Sequence, residues 1–190
     1  MNFMNQLKNV IKTLIDISEN EMEDFLKECY TKSFKRKDVL SKPGKIPTEI
    51  FFINKGIIRV KIIDNKGVEH SIHFALENQF IADYSNFILQ NKSVYTLEAL
   101  EDTEVVIMPK PVIDWGYANL KEGQKMGRLI AEYYFIYQDN RIHNNYLRTP
   151  KERYDDITQV FPNIHNRVPQ HMIASYLGIT SIHLSRLKKT

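Results

Sequence analysis

The chain has 190 residues, of which 43% are hydrophobic and 26% charged, the composition of a protein that buries a core. No apolar run approaches the roughly 18 residues of a membrane span, and the N-terminal segment has a helical alternation in place of the continuous apolar stretch of a signal peptide. A cytoplasmic protein without a membrane partner is expected. The single cysteine, Cys29, excludes an internal disulfide framework and a self-contained zinc or four-cysteine iron–sulfur site.

The net charge of +3 is unevenly spread. Residues 141–190 hold 8 Lys/Arg against 3 Asp/Glu, or +5, which leaves −2 for residues 1–140. A near-neutral body with a basic closing segment suits a polyanion partner.

In chain order, residues 2–30 read as helical. Leu7, Val10, Ile11, Leu14 and Ile17 share one face, and Ser18 with Glu21 forms a capping-box pattern for a second short helix carrying Phe25 and Leu26. From Lys32 to Lys110 the pattern becomes strand-like. "EIFFINKGIIRVKII" turns at Gly56, and "DNKG" (Asp64–Gly67) is a hairpin signal. "EHSIHFA" alternates, with His70, Ile72 and Phe74 on one side and Glu69, Ser71 and His73 on the other. Val94–Ala99 and Glu104–Met108 complete a small antiparallel barrel or roll. Glu98, Glu101, Asp102 and Glu104 read as an exposed acidic turn, and His70 and His73 are not expected to ligate a haem.

Pro109 and Pro111 end the sheet. A long helix is then expected from about Asn119 to Leu147, with Met126, Leu129, Tyr133, Ile136, Asn140, His143 and Leu147 stepping by three and four. At 1.5 Å per residue it spans roughly 40 Å, more than one small barrel covers, so a second copy of the chain is the expected partner. Tyr133, Tyr134 and Tyr137 read as interface packing. Thr149, Pro150 and Glu152 mark another helix start. The chain therefore divides into a sensor domain at 1–117, a dimerisation helix at 118–147 and a DNA-binding domain at 148–190.

The closing stretch has the grammar of a helix-turn-helix. Pro169 opens a helix with Ile173, Ala174 and Leu177 inward, Gly178 supplies the turn, and Thr180 caps a second helix that buries Leu184 and Leu187. Its exposed face carries Ser181, Ile182, His183, Ser185, Arg186 and Lys189, and such a helix enters the major groove N-terminus first. Arg186 is expected to read guanine through O6 and N7. Lys188 and Lys189 are expected to meet phosphates.

"RVPQHMIASYLGITSIHLSRLKK", with "FINKGIIRV", "IADYSNF" and "LEALEDTEV" upstream, resembles the Crp/Fnr family (cyclic-AMP receptor / fumarate–nitrate regulator) of bacterial transcription factors, in particular its Bacteroidetes-type branch. The resemblance runs from about Ser18 onward. It implies an α+β fold: an N-terminal antiparallel β-roll of the cyclic-nucleotide-binding, jelly-roll type, a long dimerisation helix and a C-terminal helix-turn-helix domain of winged-helix-like kind. It also implies a homodimer on double-stranded operator DNA, with RNA polymerase and a small-molecule effector as further partners. Thr180, Ser181, Ile182, His183, Ser185, Arg186, Lys188 and Lys189 are the implied DNA-binding residues. Ala82, Asp83, Tyr84, Lys92 and Ser93 are the implied effector residues.

This sequence departs from the nucleotide-binding pattern. Ala82 and Asp83 stand where a Gly-Glu pair is usual, and Ser93 stands at the phosphate-binding arginine. A buried phosphate would lack its bidentate partner, with only Lys92 adjacent, so cyclic AMP is not an expected ligand and no cofactor is expected. Ile182 replaces a glutamate of the reading helix, which favours contact with a thymine methyl over a cytosine amine. No phosphate loop, nucleophile elbow or helical metal-binding His pair is present, so neither an enzyme nor a metal site is expected. The alternative is a ligand-binding module with a degenerate DNA-binding end that acts through protein partners.

Overall fold

Periodic apolar spacing and a capping box form the first two elements of the computed structural model, which describes residues 4–188. They are α1 (Met4–Leu14) and α2 (Glu19–Leu26), and the Ser18 hydroxyl and Glu21 carboxylate cap each other's backbone N–H groups as the sequence predicts. Tyr30, expected to be helical, instead opens β1 (Tyr30–Phe34), where it pairs with Ile107 and its hydroxyl donates to Glu49 Oε1 at 2.8 Å.

The strands that follow are β2 (Val39–Ser41), β3 (Glu49–Lys55), β4 (Ile58–Ile63), β5 (Glu69–Ala75), β6 (Phe80–Ile81), β7 (Thr96–Ala99) and β8 (Thr103–Pro109), with α3 (Tyr84–Leu89) between β6 and β7. They form two antiparallel sheets, ordered β1-β8-β3-β6 and β2-β7-β4-β5, that enclose one apolar layer containing Phe51, Ile53, Ile58, Leu97, Ala99 and Val105. β1 lies beyond sequence alternation because four of its five residues are exposed, and β2 and β6 are too short to show a period. Gly56 turns β3 into β4 at φ +103°, where a Cβ would strike Thr103. In the β4–β5 hairpin Asp64 Oδ1 accepts the N–H groups of Lys66 and Val68.

β5 departs from simple alternation. Its pairing shifts from Val60↔His73 to Lys61↔Ser71, and the bulge leaves His73, Phe74 and Ala75 all buried.

After β8 the prolines do not merely stop the sheet. Pro111 lies in the first turn of α4 (Lys110–Asn119), where a missing N–H costs nothing. The long helix, α5 (Gly123–Leu147), begins four residues later than expected, because Leu120 turns the chain and its N–H returns to Gly116 O. Gly123 then passes against that same carbonyl, where no Cβ fits. α5 has 25 residues and is about 37 Å long at 1.5 Å per residue.

The remainder is α6 (Pro150–Val160), α7 (Ile164–Arg167), α8 (Gln170–Tyr176) and α9 (Ser181–Leu187). Thr149 and Glu152 form the expected capping box of α6. Among the described residues after Arg148 no strand occurs. Ile157, Phe161, Ile164, Ile173, Ala174, Leu177 and Leu184 bury themselves with Ile57, Phe74, Leu76 and Leu100 of the roll, so α6–α9 share a core with the sheet.

Candidate functional site: a reading helix and an apolar cavity

The reading tip is built by local rules. Gly178 at φ +69° makes the corner, and the Thr180 hydroxyl accepts the His183 N–H at 3.1 Å. Leu184 anchors α9, while Ser181, Ile182, His183, Ser185 and Arg186 stay exposed, Ile182 at 68%. Lys188 is exposed, and its Nζ donates to Gln170 Oε1 at 3.1 Å. Lys189 lies outside the described residues.

Polar contacts of Arg167, Ser175 and Arg153 help to fasten this unit to the rest of the chain. Arg167 reaches Glu77 Oε1 at 2.6 Å and Glu101 Oε1 at 2.5 Å. Burial disfavours the Glu77 carboxylate, but hydrogen bonds from Arg167 and the Gly56 N–H outweigh it and hold its pKa below the usual range. The Ser71 N–H donates to Ser175 Oγ at 2.9 Å. Arg153 Nη1 takes the carbonyls of Asn145 and Arg148 at the end of α5, while Nη2 takes that of Leu177 at the end of α8. The acidic turn is thus not simply solvated surface, as the sequence suggested. Glu101 is half-buried against Arg167, and Glu98 pairs with Lys61 at 2.7 Å.

A cavity of about 430 Å³ lies between the sheets, α1, α4 and α5. Ile50, Ile72, Phe80, Met108, Ile130 and Tyr134 are among its walls, and among the described residues no Lys or Arg lines it. Of the five effector residues expected from sequence, Ala82, Asp83 and Tyr84 line this cavity and the other two do not. Asp83 is buried as the cap of α3, its Oδ2 accepting Asn86 Nδ2 at 2.8 Å. Ser93 is buried elsewhere, its Oγ accepting the Tyr95 N–H at 2.9 Å, and Lys92 is exposed. A separate hollow of about 310 Å³, which Asp83 also borders, is lined in part by the exposed Lys42 and Lys45.

The cavity wall also holds His73, considered from sequence only as a haem ligand and set aside. His73 is 7% exposed, and its Nδ1 lies 2.9 Å from Tyr137 Oη, which lies 2.7 Å from Tyr176 Oη. His73 Nε2 is buried with no hydrogen-bond partner. Desolvation, helped by the Arg141 charge, pushes the His73 pKa down to about 3, so the ring is neutral. His70, by contrast, points to Asp64, at 2.9 Å. Tyr134 donates its hydroxyl to the Phe80 carbonyl, and burial raises its pKa. Tyr134 and Tyr137 therefore pack within their own chain, whereas Tyr133 is 56% exposed. Nothing in the sequence marks His73 as buried: the alternation places it on one side of the strand with Glu69 and Ser71.

The comparisons with known proteins agree with this architecture. Residues 31–116 match the family model of the cyclic nucleotide-binding domain. The whole chain has the fold of Crp/Fnr regulators. A Crp/Fnr-family protein from Eubacterium rectale superposes with a TM-score of 0.71 at 12% identity, over 100% of this chain and 87% of that one. FixK2 from Bradyrhizobium japonicum gives 0.69 at 13% identity, over 85% and 83% of the two chains. CLP, the c-di-GMP-responsive global regulator of Xanthomonas campestris, gives 0.68 at 11% identity, over 90% of both chains. The Eubacterium rectale and Xanthomonas campestris proteins are described as regulators. No curated protein sequence matches the chain. Among the described residues no helix is long and apolar enough to cross a membrane.

Proposed function

We propose that this protein is a dimeric, sequence-specific DNA-binding transcriptional regulator whose roll holds an effector other than cyclic AMP. The exposed face of α9 carries the DNA reading: a capped helix on a glycine corner, anchored by one buried leucine, presents Ile182, His183, Ser185 and Arg186 to solvent. Dimerisation is supported by the outer face of α5, where Tyr133, Ile136 and Leu147 are 56%, 58% and 82% exposed in register. A pair of chains joined there presents two reading helices to two half-sites. RNA polymerase is a further partner in this reading.

The cavity supports the second half of the proposal. A cyclic phosphate placed in it meets no cationic side chain, and Asp83 adds a negative charge. Selection of bound sequences from random DNA, followed by titration at two salt concentrations, tests the DNA reading. A selected site bound far tighter than scrambled DNA supports it, and equal binding of both overturns it. Calorimetric titration with cyclic AMP or cyclic GMP should show no micromolar site.

A further inference from the structure

We propose that the hollow where α5, α6 and α8 meet binds a small oxyanion of the size of inorganic phosphate, held by the guanidinium of Arg141. The hollow shares no lining residue with the roll's cavity or with α9, and the site stands independently of the DNA reading.

Helical spacing builds the hollow. Tyr137, Arg141, Asn144 and Arg148 step by three and four, so they share one face of α5. Arg153 and Asp156 on α6 and Tyr176 at the end of α8 also line it. Its volume is about 160 Å³, well below the roughly 300 Å³ at which small-molecule pockets begin. An ion of a few heavy atoms fits there, and a nucleotide does not.

The charges decide the sign of the ligand. Three arginines and one aspartate line the hollow. Asp156 is already paired with Arg148. Arg153 is also committed: Nη1 donates to the carbonyls of Asn145 and Arg148, and Nη2 donates to that of Leu177, so it answers the negative ends of α5 and α8. Arg141 is left over. It is half-buried, and among the described residues it makes no hydrogen bond and no ion pair. Its guanidinium lies 4.7 Å from the centroid of the Tyr176 ring. A half-buried cation without a counter-charge is costly, and an oxyanion relieves that cost. Nε is closed off from solvent, so the two Nη groups are the assigned donors. Stacking on Tyr176 fixes the plane of the fork, whose two parallel N–H bonds match two oxygens of one anion.

The test uses the full-length protein without DNA, inorganic phosphate as the probe, and chloride to hold the ionic strength constant. Calorimetric titration should saturate at one phosphate per chain, and the thermal midpoint should rise with phosphate but not with chloride. Arg141→Gln should weaken phosphate binding about tenfold or more, the loss expected for a hydrogen bond between charged groups. Arg141→Lys keeps the charge and loses the fork. It should weaken binding about threefold, and it decides the matter if the glutamine variant does not fold. Lys42→Gln with Lys45→Gln, in the other hollow, should leave phosphate binding unchanged. No saturable binding, equal binding by native and Arg141 variants, or loss of binding in the Lys42 and Lys45 variant overturns the site. On the selected DNA, Arg141→Gln should match the native protein. If it instead weakens selected and scrambled DNA alike, Arg141 meets the DNA backbone and the small-ion assignment is overturned. Phosphate binding by a protein that reads no DNA overturns the regulator reading alone.

Discussion

The two faces of α5 do opposite things with similar residues. The inner face carries Tyr134, Tyr137, Arg141 and Asn144, all at least half-buried and tied to the chain's own parts: Tyr134 to Phe80, Tyr137 to His73 and Tyr176, and Arg141 to the Tyr176 ring. The outer face carries Leu129, Tyr133, Ile136, Asn140, His143 and Leu147, most of them solvent-exposed. Tyrosine occurs on both faces, so residue type does not separate them. The inner tyrosines have hydrogen-bond partners for their hydroxyls within the same chain, and the outer apolar side chains lack a covering surface there. The inner face joins roll to helix-turn-helix, and in the proposed dimer the outer face joins chain to chain.

The most disruptive test of that division is Ile136→Glu. In the dimer it buries two unpaired carboxylates near the two-fold axis and should cost about 3–5 kcal/mol of association. Sedimentation of the native protein at micromolar concentration should give twice the 22.4 kDa chain mass, and the variant should give one. An Ile136→Glu variant that stays dimeric places the interface elsewhere.

The inner face has a pH signature. Burial lowers the folded-state pKa of His73 to about 3 from its ordinary 6.5, so the unfolded chain binds a proton that the folded chain refuses. The stability it confers is present above pH 6.5 and is lost as pH falls towards 3, with a limiting slope of about 1.4 kcal/mol per pH unit. Urea unfolding from pH 7 to pH 4 should show this slope, and His73→Phe should flatten it while outer-face variants leave it unchanged.

Arg186→Ala should cost about 1–3 kcal/mol on the selected DNA site and relax the preference at one base pair in each half-site. If both half-sites respond together, the two reading helices are held by one interface. Equal losses on scrambled DNA would reduce Arg186 to a phosphate contact. Arg167→Ala leaves Glu77 and Glu101 facing each other half-buried and should cost about 1–2 kcal/mol in stability, with faster proteolysis after Arg148 as the roll releases α6–α9. The smallest effect belongs to Lys189→Ala. It should weaken all DNA about equally and flatten the salt dependence by roughly one ion per subunit.

Much of this molecule follows from the amino-acid sequence alone, because its signals are local. Both capping boxes, the Gly56 and Asp64–Gly67 turns, the stepping of Met126 to Leu147 and the Gly178 corner each arise within a few residues, so they survive without knowledge of the fold. What the tertiary structure decided depends on residues far apart in the chain. Only strand pairing shows that Tyr30 belongs to a sheet edge. Only the closeness of Gly116 and Gly123 separates α4 from α5. Met126 illustrates the limit: it steps in register with the outer seam, yet it is buried in the chain's own core with Phe25 and Ile113. The sorting of Tyr133 outward and Tyr137 inward, the pairing of Arg167 with Glu77 and Glu101, and the neutral His73 on a cavity wall have the same origin. Burial, and with it charge state and hydrogen-bond partnership, belongs to the packed arrangement of distant segments and is invisible to any local pattern.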